Sequence, residues 1–204
     1  TESYALEQFD YWMDVKDDPW LIGDFIWTGF DYIGESSIGW LGYMPDKKYY
    51  PWNLAYCGDI DICGWKRPQS FYRDALWKEN QLSVFVKPPQ PSFPVNPKKE
   101  PWSLWNWYDV VADWNWPAYK DSVFEVDVYS SCDEVELFLN GKSLGKKPTN
   151  RSTKFMAVYH VPYVKGKRKA IEYNNGKKVN IAILKTTNKP TPINLSTDRT
   201  IIKT

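Results

Sequence analysis

The 204 residues carry 26 basic and 25 acidic side chains and a single histidine, His160, for a formal charge of +1. So balanced a chain lacks the one-signed field that draws nucleic acid, and it holds no run of about 20 apolar residues able to span a bilayer, so neither nucleic acid nor membrane is expected as a partner. Its length suits two domains, each with its own core.

The chain opens on Thr1 and Glu2, and no signal peptide is read in its first residues. Residues 4–18 then place Leu6, Phe9, Trp12 and Met13 at helical spacing, with acids and Lys16 between them, which predicts an amphipathic helix closed by Pro19. Residues 20–27 form an almost unbroken apolar run, interrupted only by Gly23 and Asp24. That pattern predicts a strand buried on both faces, as in a parallel sheet. Carboxylate, helix, buried strand and then an aromatic-and-acid loop is the order of the last repeats of an α/β barrel, where chemistry gathers at strand ends.

Residues 36–67 are rich in Gly, Pro, Trp and Tyr and predict an ordered loop over a pocket. Beyond them Phe71, Tyr72, Ala75 and Leu76 share one helical face, the expected final barrel helix. The stretch KPPQPSFPVNP at 87–97 excludes helix interior and central strand alike and marks a domain boundary.

The second half alternates apolar and polar residues at 122–130 and 134–139, then reaches Asn140 and Gly141. Asn175 and Gly176 repeat that pair between 169–173 and 178–184. Two Asn-Gly turns among short strands, with no convincing helix, predict an antiparallel sandwich of immunoglobulin type. Residues 188–204 read as a linker and the start of a further domain.

Three cysteines cannot all pair internally; they are read as buried thiols, with a Cys57–Cys63 bridge as the alternative. With one histidine in a strand-like context, neither His-dependent nucleophilic catalysis nor zinc ligation is supported, and no metal or cofactor is expected. Lys142, Lys146, Lys147 and the basic cluster at 165–169 are read as solvated strand edges.

Taken together, TES at 1–3, WLIGDFIWTGFDYIGE at 20–35, GDID at 58–61 and KRPQSFYR at 66–73 resemble the C-terminal part of the catalytic barrel of glycoside hydrolase family 2, in its β-galactosidase-like, Bacteroidetes-type members. DWNW at 113–116 and CDEVELFLNGKSLG at 132–145 resemble the immunoglobulin-like domain that follows that barrel. The resemblance implies a C-terminal piece of a (β/α)8 TIM barrel over 1–86, a Pro-rich linker over 87–101, a β-sandwich over 102–187, and a linker onward.

By the same resemblance Glu2 matches the nucleophile of a retaining glycosidase, whose partner acid/base glutamate lies upstream of this chain. Retaining hydrolysis needs both carboxyl groups, about 5–5.5 Å apart, so these residues alone are expected to be inactive. Trp27 matches the tryptophan floor beneath the sugar, a flat apolar surface with one N–H to spare. Asp31 and Asp59 are expected to border the same pocket and accept bonds from sugar hydroxyls.

The implied partners are a carbohydrate substrate, most simply a terminal β-galactoside, the upstream part of the barrel, and neighbouring domains. The family also suggests a periplasmic or secreted location. A second hypothesis makes the sandwich a non-catalytic module, binding carbohydrate through Trp102, Trp105, Trp107, Trp114 and Trp116 or using those rings to pack against its neighbours.

Overall fold

The computed structural model describes residues 2–34, 54–92, 105, 107–188 and 192–198. Residues 36–53 of the expected loop, 93–101 of the Pro-rich linker, Trp102 and the end of the chain lie outside them. Its larger part is a sandwich of two antiparallel sheets. Strands β1 (Leu82–Val86), β2 (Val123–Ser130) and β5 (Met156–Pro162) form one sheet in the order β1-β2-β5. Strands β3 (Glu134–Leu139), β4 (Lys142–Pro148), β6 (Lys167–Asn174) and β7 (Lys177–Lys185) form the other in the order β4-β3-β6-β7.

Alternation decides what each strand buries. Phe124, Val126 and Val128 of β2 face Val135 and Leu137 of β3, Ala157, Tyr159 and Val161 of β5, and Ala170 of β6 in one core. Each such side chain contributes roughly 1.5–3 kcal/mol by leaving water. Trp114 is fully buried in the same core, and the Arg168 guanidinium lies over its ring at 3.5 Å. The β3–β4 and β6–β7 hairpins turn on the expected pairs: Asn140 and Gly141 have φ of 49° and 87°, Asn175 and Gly176 of 49° and 72°. Both central residues must be left-handed in this turn, which Asn tolerates and Gly favours.

Strand β1 corrects the division at residue 86. Leu82 to Val86 pair with Ser130 to Val126 of β2, so this segment belongs to the sandwich and not to the barrel half. Pro88 and Pro89 follow at once and cannot extend the ladder.

The other half is built on two helices. A 3-10 turn at Ala5–Glu7 leads into α1 (Gln8–Asp17), with Phe9 and Met13 buried one turn apart; Leu6, expected on that face, is exposed. Helix α2 (Pro68–Trp77) begins on a proline, whose missing N–H costs nothing there, while Arg67 before it is extended, as the proline ring demands. Phe9, Met13, Tyr72, Ala75 and Leu76 meet Phe85, Trp107, Val110 and Tyr129 in a second cluster on the back of the β1-β2-β5 sheet. The Tyr72 hydroxyl donates to the Lys154 carbonyl at 2.7 Å, tying α2 to the sandwich.

Residues 20–27 do not form the expected buried strand. They contribute one parallel bridge, Ile26 to Ser3, and their side chains face solvent: Trp20 is 87% and Phe25 78% exposed. A parallel strand needs a neighbour on each edge and a layer on each face. Among the described residues only Ser3 supplies an edge, so the run is apolar without being covered. A parallel barrel sheet is therefore not formed by these residues alone.

Candidate active site

The site begins at that single bridge. The Ser3 amide donates to the Phe25 carbonyl at 2.7 Å, and the Trp27 amide donates to the Ser3 carbonyl at 3.1 Å. Extended backbone sends successive side chains to opposite faces, so burying Ser3 leaves Glu2 and Tyr4 together on the other side. Both line an open concavity of about 660 Å³, a volume within the range of small-ligand sites, together with Tyr11, Phe25, Ile26 and Trp27. Among the described lining residues Glu2 is the one carboxylate.

The Tyr4 hydroxyl donates to Glu2 Oε1 at 3.1 Å. That hydrogen bond, followed by burial, raises the Tyr4 phenol above its ordinary range, so it stays a donor at neutral pH. Trp27 is 39% exposed and meets Tyr32 edge-on, with centroids 6.1 Å apart at 87°. The Trp27–Thr28 peptide is cis.

Asp31 and Asp59 are placed differently. Arg67 forms an ion pair with Asp31, whose side chain is fully buried and also accepts from the Cys57 amide at 3.3 Å. Arg73 Nε lies 2.6 Å from Asp59 Oδ2 and Nη2 lies 3.4 Å from Oδ1. Both arginines belong to the start or body of α2, so the carboxylates anchor loops 28–34 and 54–61 to that helix. The loops are also joined through their backbones: the Asp59 amide donates to Thr28 at 2.8 Å, Ile60 to Gly29 at 2.9 Å and Asp31 to Ile60 at 2.8 Å.

Gly58 makes this approach possible, since a Cβ there would sit 2.2 Å from the Asp31 nitrogen. Neither aspartate is among the residues lining the concavity. A buried carboxylate stripped of its arginine would be costly, roughly 3–5 kcal/mol, so these pairs hold the site's frame.

Sequence reasoning named Glu2 and Trp27, which the structure brings to one lining, and did not name Tyr4 and Tyr11, which share it. Tyr4 was within reach, because i and i+2 share a face in extended chain. Tyr11 depends on how α1 lies against residues 25–27, which periodicity does not give.

Of the candidate tryptophans of the sandwich, the four described ones are set in packing contacts. Trp107 and Trp114 are buried, Trp116 stacks on Phe124 at 6.0 Å, and Trp105 tilts against Tyr4 at 4.8 Å. A sugar platform needs an accessible ring face, which Trp107 and Trp114 do not offer. No disulfide joins Cys57 and Cys63; Cys57 and Cys132 are buried, and Cys63, against expectation, is exposed. His160 lies on β5 with its ring largely in solvent.

Comparison with known proteins fits this frame. Residues 121–180 match a domain of unknown function, DUF4982. A provisionally named β-glucuronidase of Formosa agariphila is 34% identical over 91% of this chain, and β-galactosidase BoGH2A of Bacteroides ovatus is 30% identical over 92%. The crystal structure of a glycosyl hydrolase family 2 member from Bacteroides cellulosilyticus is 51% identical over 98% of the chain, with a TM-score of 0.89. The chain spans 15% and 18% of the two curated relatives and 26% of that crystal structure. Over nearly its whole length, and as a stretch of what its relatives contain, the chain belongs to glycoside hydrolase family 2.

Proposed function

We propose that these residues form the nucleophile-bearing part of a retaining β-glycosidase that removes terminal sugars, most simply galactose, from β-glycosides. The observation that carries the reading is the shared concavity: the Ser3–Ile26 pairing brings Glu2 and Trp27, 25 residues apart in sequence, onto one wall. A carboxylate beside a partly exposed indole is the pairing needed to hold a pyranose by its apolar face and reach its anomeric carbon.

In this reading a Glu2 carboxylate oxygen bonds to the anomeric carbon as the glycosidic C–O bond breaks, and the leaving oxygen takes a proton from a second carboxyl group. Water then attacks the same carbon, the ester bond to Glu2 breaks, and the second group takes up the water's proton. No second carboxyl lines the concavity among the described residues, so the acid/base comes from the rest of a longer polypeptide.

The exposed apolar side chains of residues 20–25 fit the same proposal. In the complete enzyme they would be covered by the other strands of a (β/α)8 barrel, with neighbouring domains as further partners, and neither nucleic acid nor membrane takes part. For the sandwich, the buried tryptophans favour packing over carbohydrate binding.

The test is Glu2→Gln in the complete polypeptide of which these residues are proposed to be a part. Turnover of an aryl β-galactoside should fall by at least about a thousandfold at an unchanged thermal midpoint, because the nucleophile is removed without altering shape. Near-normal turnover would remove Glu2 from the mechanism. A higher kcat/KM for the matching β-glucuronide would leave the mechanism standing and overturn the choice of sugar.

A further inference from the structure

We propose that Tyr4 is a positioning residue for Glu2: its hydroxyl holds one carboxylate oxygen, so that the other is presented to the concavity. The inference rests on the nucleophile reading of Glu2. It follows from the way the two side chains share one anchor. Ser3 lies between them, buried and fixed by backbone bonds to Phe25 and Trp27, so Glu2 and Tyr4 leave a common short segment on the same face.

A free carboxylate rotates about its last bond, and either oxygen can face the sugar. The 3.1 Å bond from the Tyr4 hydroxyl selects Oε1 as acceptor and leaves Oε2 as the attacking atom. The donor is itself held, because the Tyr4 ring tilts at 58° against Trp105 with centroids 4.8 Å apart. Both residues line the concavity, so the contact sits at the reacting end of the side chain and not behind it. When Oε2 becomes the ester oxygen, Oε1 becomes its carbonyl oxygen and remains an acceptor for the same hydroxyl. One hydroxyl thus serves the carboxylate and the ester without moving.

Tyr4→Phe isolates this role, since it keeps the ring against Trp105 and removes only the donor. In the complete polypeptide, kcat for an aryl β-galactoside should fall about ten- to a hundredfold, the range for losing one hydrogen bond to a charged group, with KM little changed. A 2-deoxy-2-fluoro β-galactoside that traps the glycosyl-enzyme should label Glu2 more slowly by a similar factor at an unaltered dissociation constant. A role in folding alone would lower the thermal midpoint and leave both rate constants in place.

The inference is overturned if Tyr4→Phe matches the parent in turnover and trapping rate while Glu2→Gln is inactive. If Glu2→Gln retains turnover, the nucleophile reading fails first and the positioning role goes with it. The two variants therefore separate the failures.

Discussion

The sandwich and the segment before it both carry strongly apolar runs and treat that apolarity in opposite ways. In the sandwich, Val126, Val128, Val135, Leu137 and Val161 alternate inward and are fully buried between two sheets that supply each other's cover. In residues 20–33, Trp20, Ile22, Phe25, Phe30 and Ile33 are exposed, and the loops they belong to are held by ion pairs, from Arg67 to Asp31 and from Arg73 to Asp59, and by backbone bonds. Burial against a partner is a property of the fold, not of the residue, and a charged clamp can fix a loop whose apolar side chains have nothing to cover them.

The largest effect is expected where the sandwich covers itself most completely. Trp114→Ala removes a fully buried indole, the ring beneath Arg168 and the donor to the Val164 carbonyl at 3.1 Å. The cost should be about 3–5 kcal/mol, read from urea midpoints. Hydrogen exchange then tests the comparison directly: amides of β2 and β3 should lose protection, while those of Asp31, Asp59 and Ile60, held by α2, should keep theirs. Equal loss in both groups would show one cooperative unit in place of two differently built regions.

A smaller effect, with the opposite sign, is expected on the sheet face between the regions. Asp127 lies on β2 opposite Phe85 of β1 and Val158 of β5. Its carboxyl is buried, and among the described residues its Oδ1 has no hydrogen-bond partner. Burial, and then the neighbouring Glu125, push it up to about 6 from 3.8, against a small opposing pull from Lys87.

A carboxyl raised in the folded state binds more protons there than in the unfolded chain between those two values. Its destabilising contribution therefore grows as pH rises from about 4 to about 6 and is fully present above. Asp127→Asn should stabilise the chain at pH 7 by up to about 3 kcal/mol and lose that advantage below about pH 4. Denaturation midpoints at pH 4 and 7 decide it. An equal gain at both values would mean that the carboxylate's charge is not the cause.

What could be read from the sequence divides along the same line as the two regions. The Asn140-Gly141 and Asn175-Gly176 turns, the alternation of β2 and β3 and the helical spacing in α1 and α2 are local patterns, and each is found in the structure. Strand β1 was missed because five residues before a proline run carry too short a pattern to announce a partner 40 residues away. Asp31 and Asp59 were legible as acids near a site, but their engagement depends on Arg67 and Arg73, 36 and 14 residues further along. Residues 20–27 show the same limit in reverse, since their pattern states a need for cover and says nothing of who provides it.

That need gives the smallest expected effect and the sharpest contrast with Trp114. Ile22→Ser and Phe25→Ser replace side chains that are exposed in this chain, so each should change its stability by no more than about 0.5 kcal/mol. The same substitutions should lower binding of an apolar dye, because they break up a contiguous uncovered patch. In a complete polypeptide whose further strands pack on this face, either change would instead leave a cavity and a buried hydroxyl, and the cost should rise to about 2–4 kcal/mol. Measuring both forms therefore asks of one residue what the comparison asks of the whole chain. A cost that is small in both would mean that nothing covers residues 20–25 in such a polypeptide either, and the barrel proposal would lose the surface on which it rests.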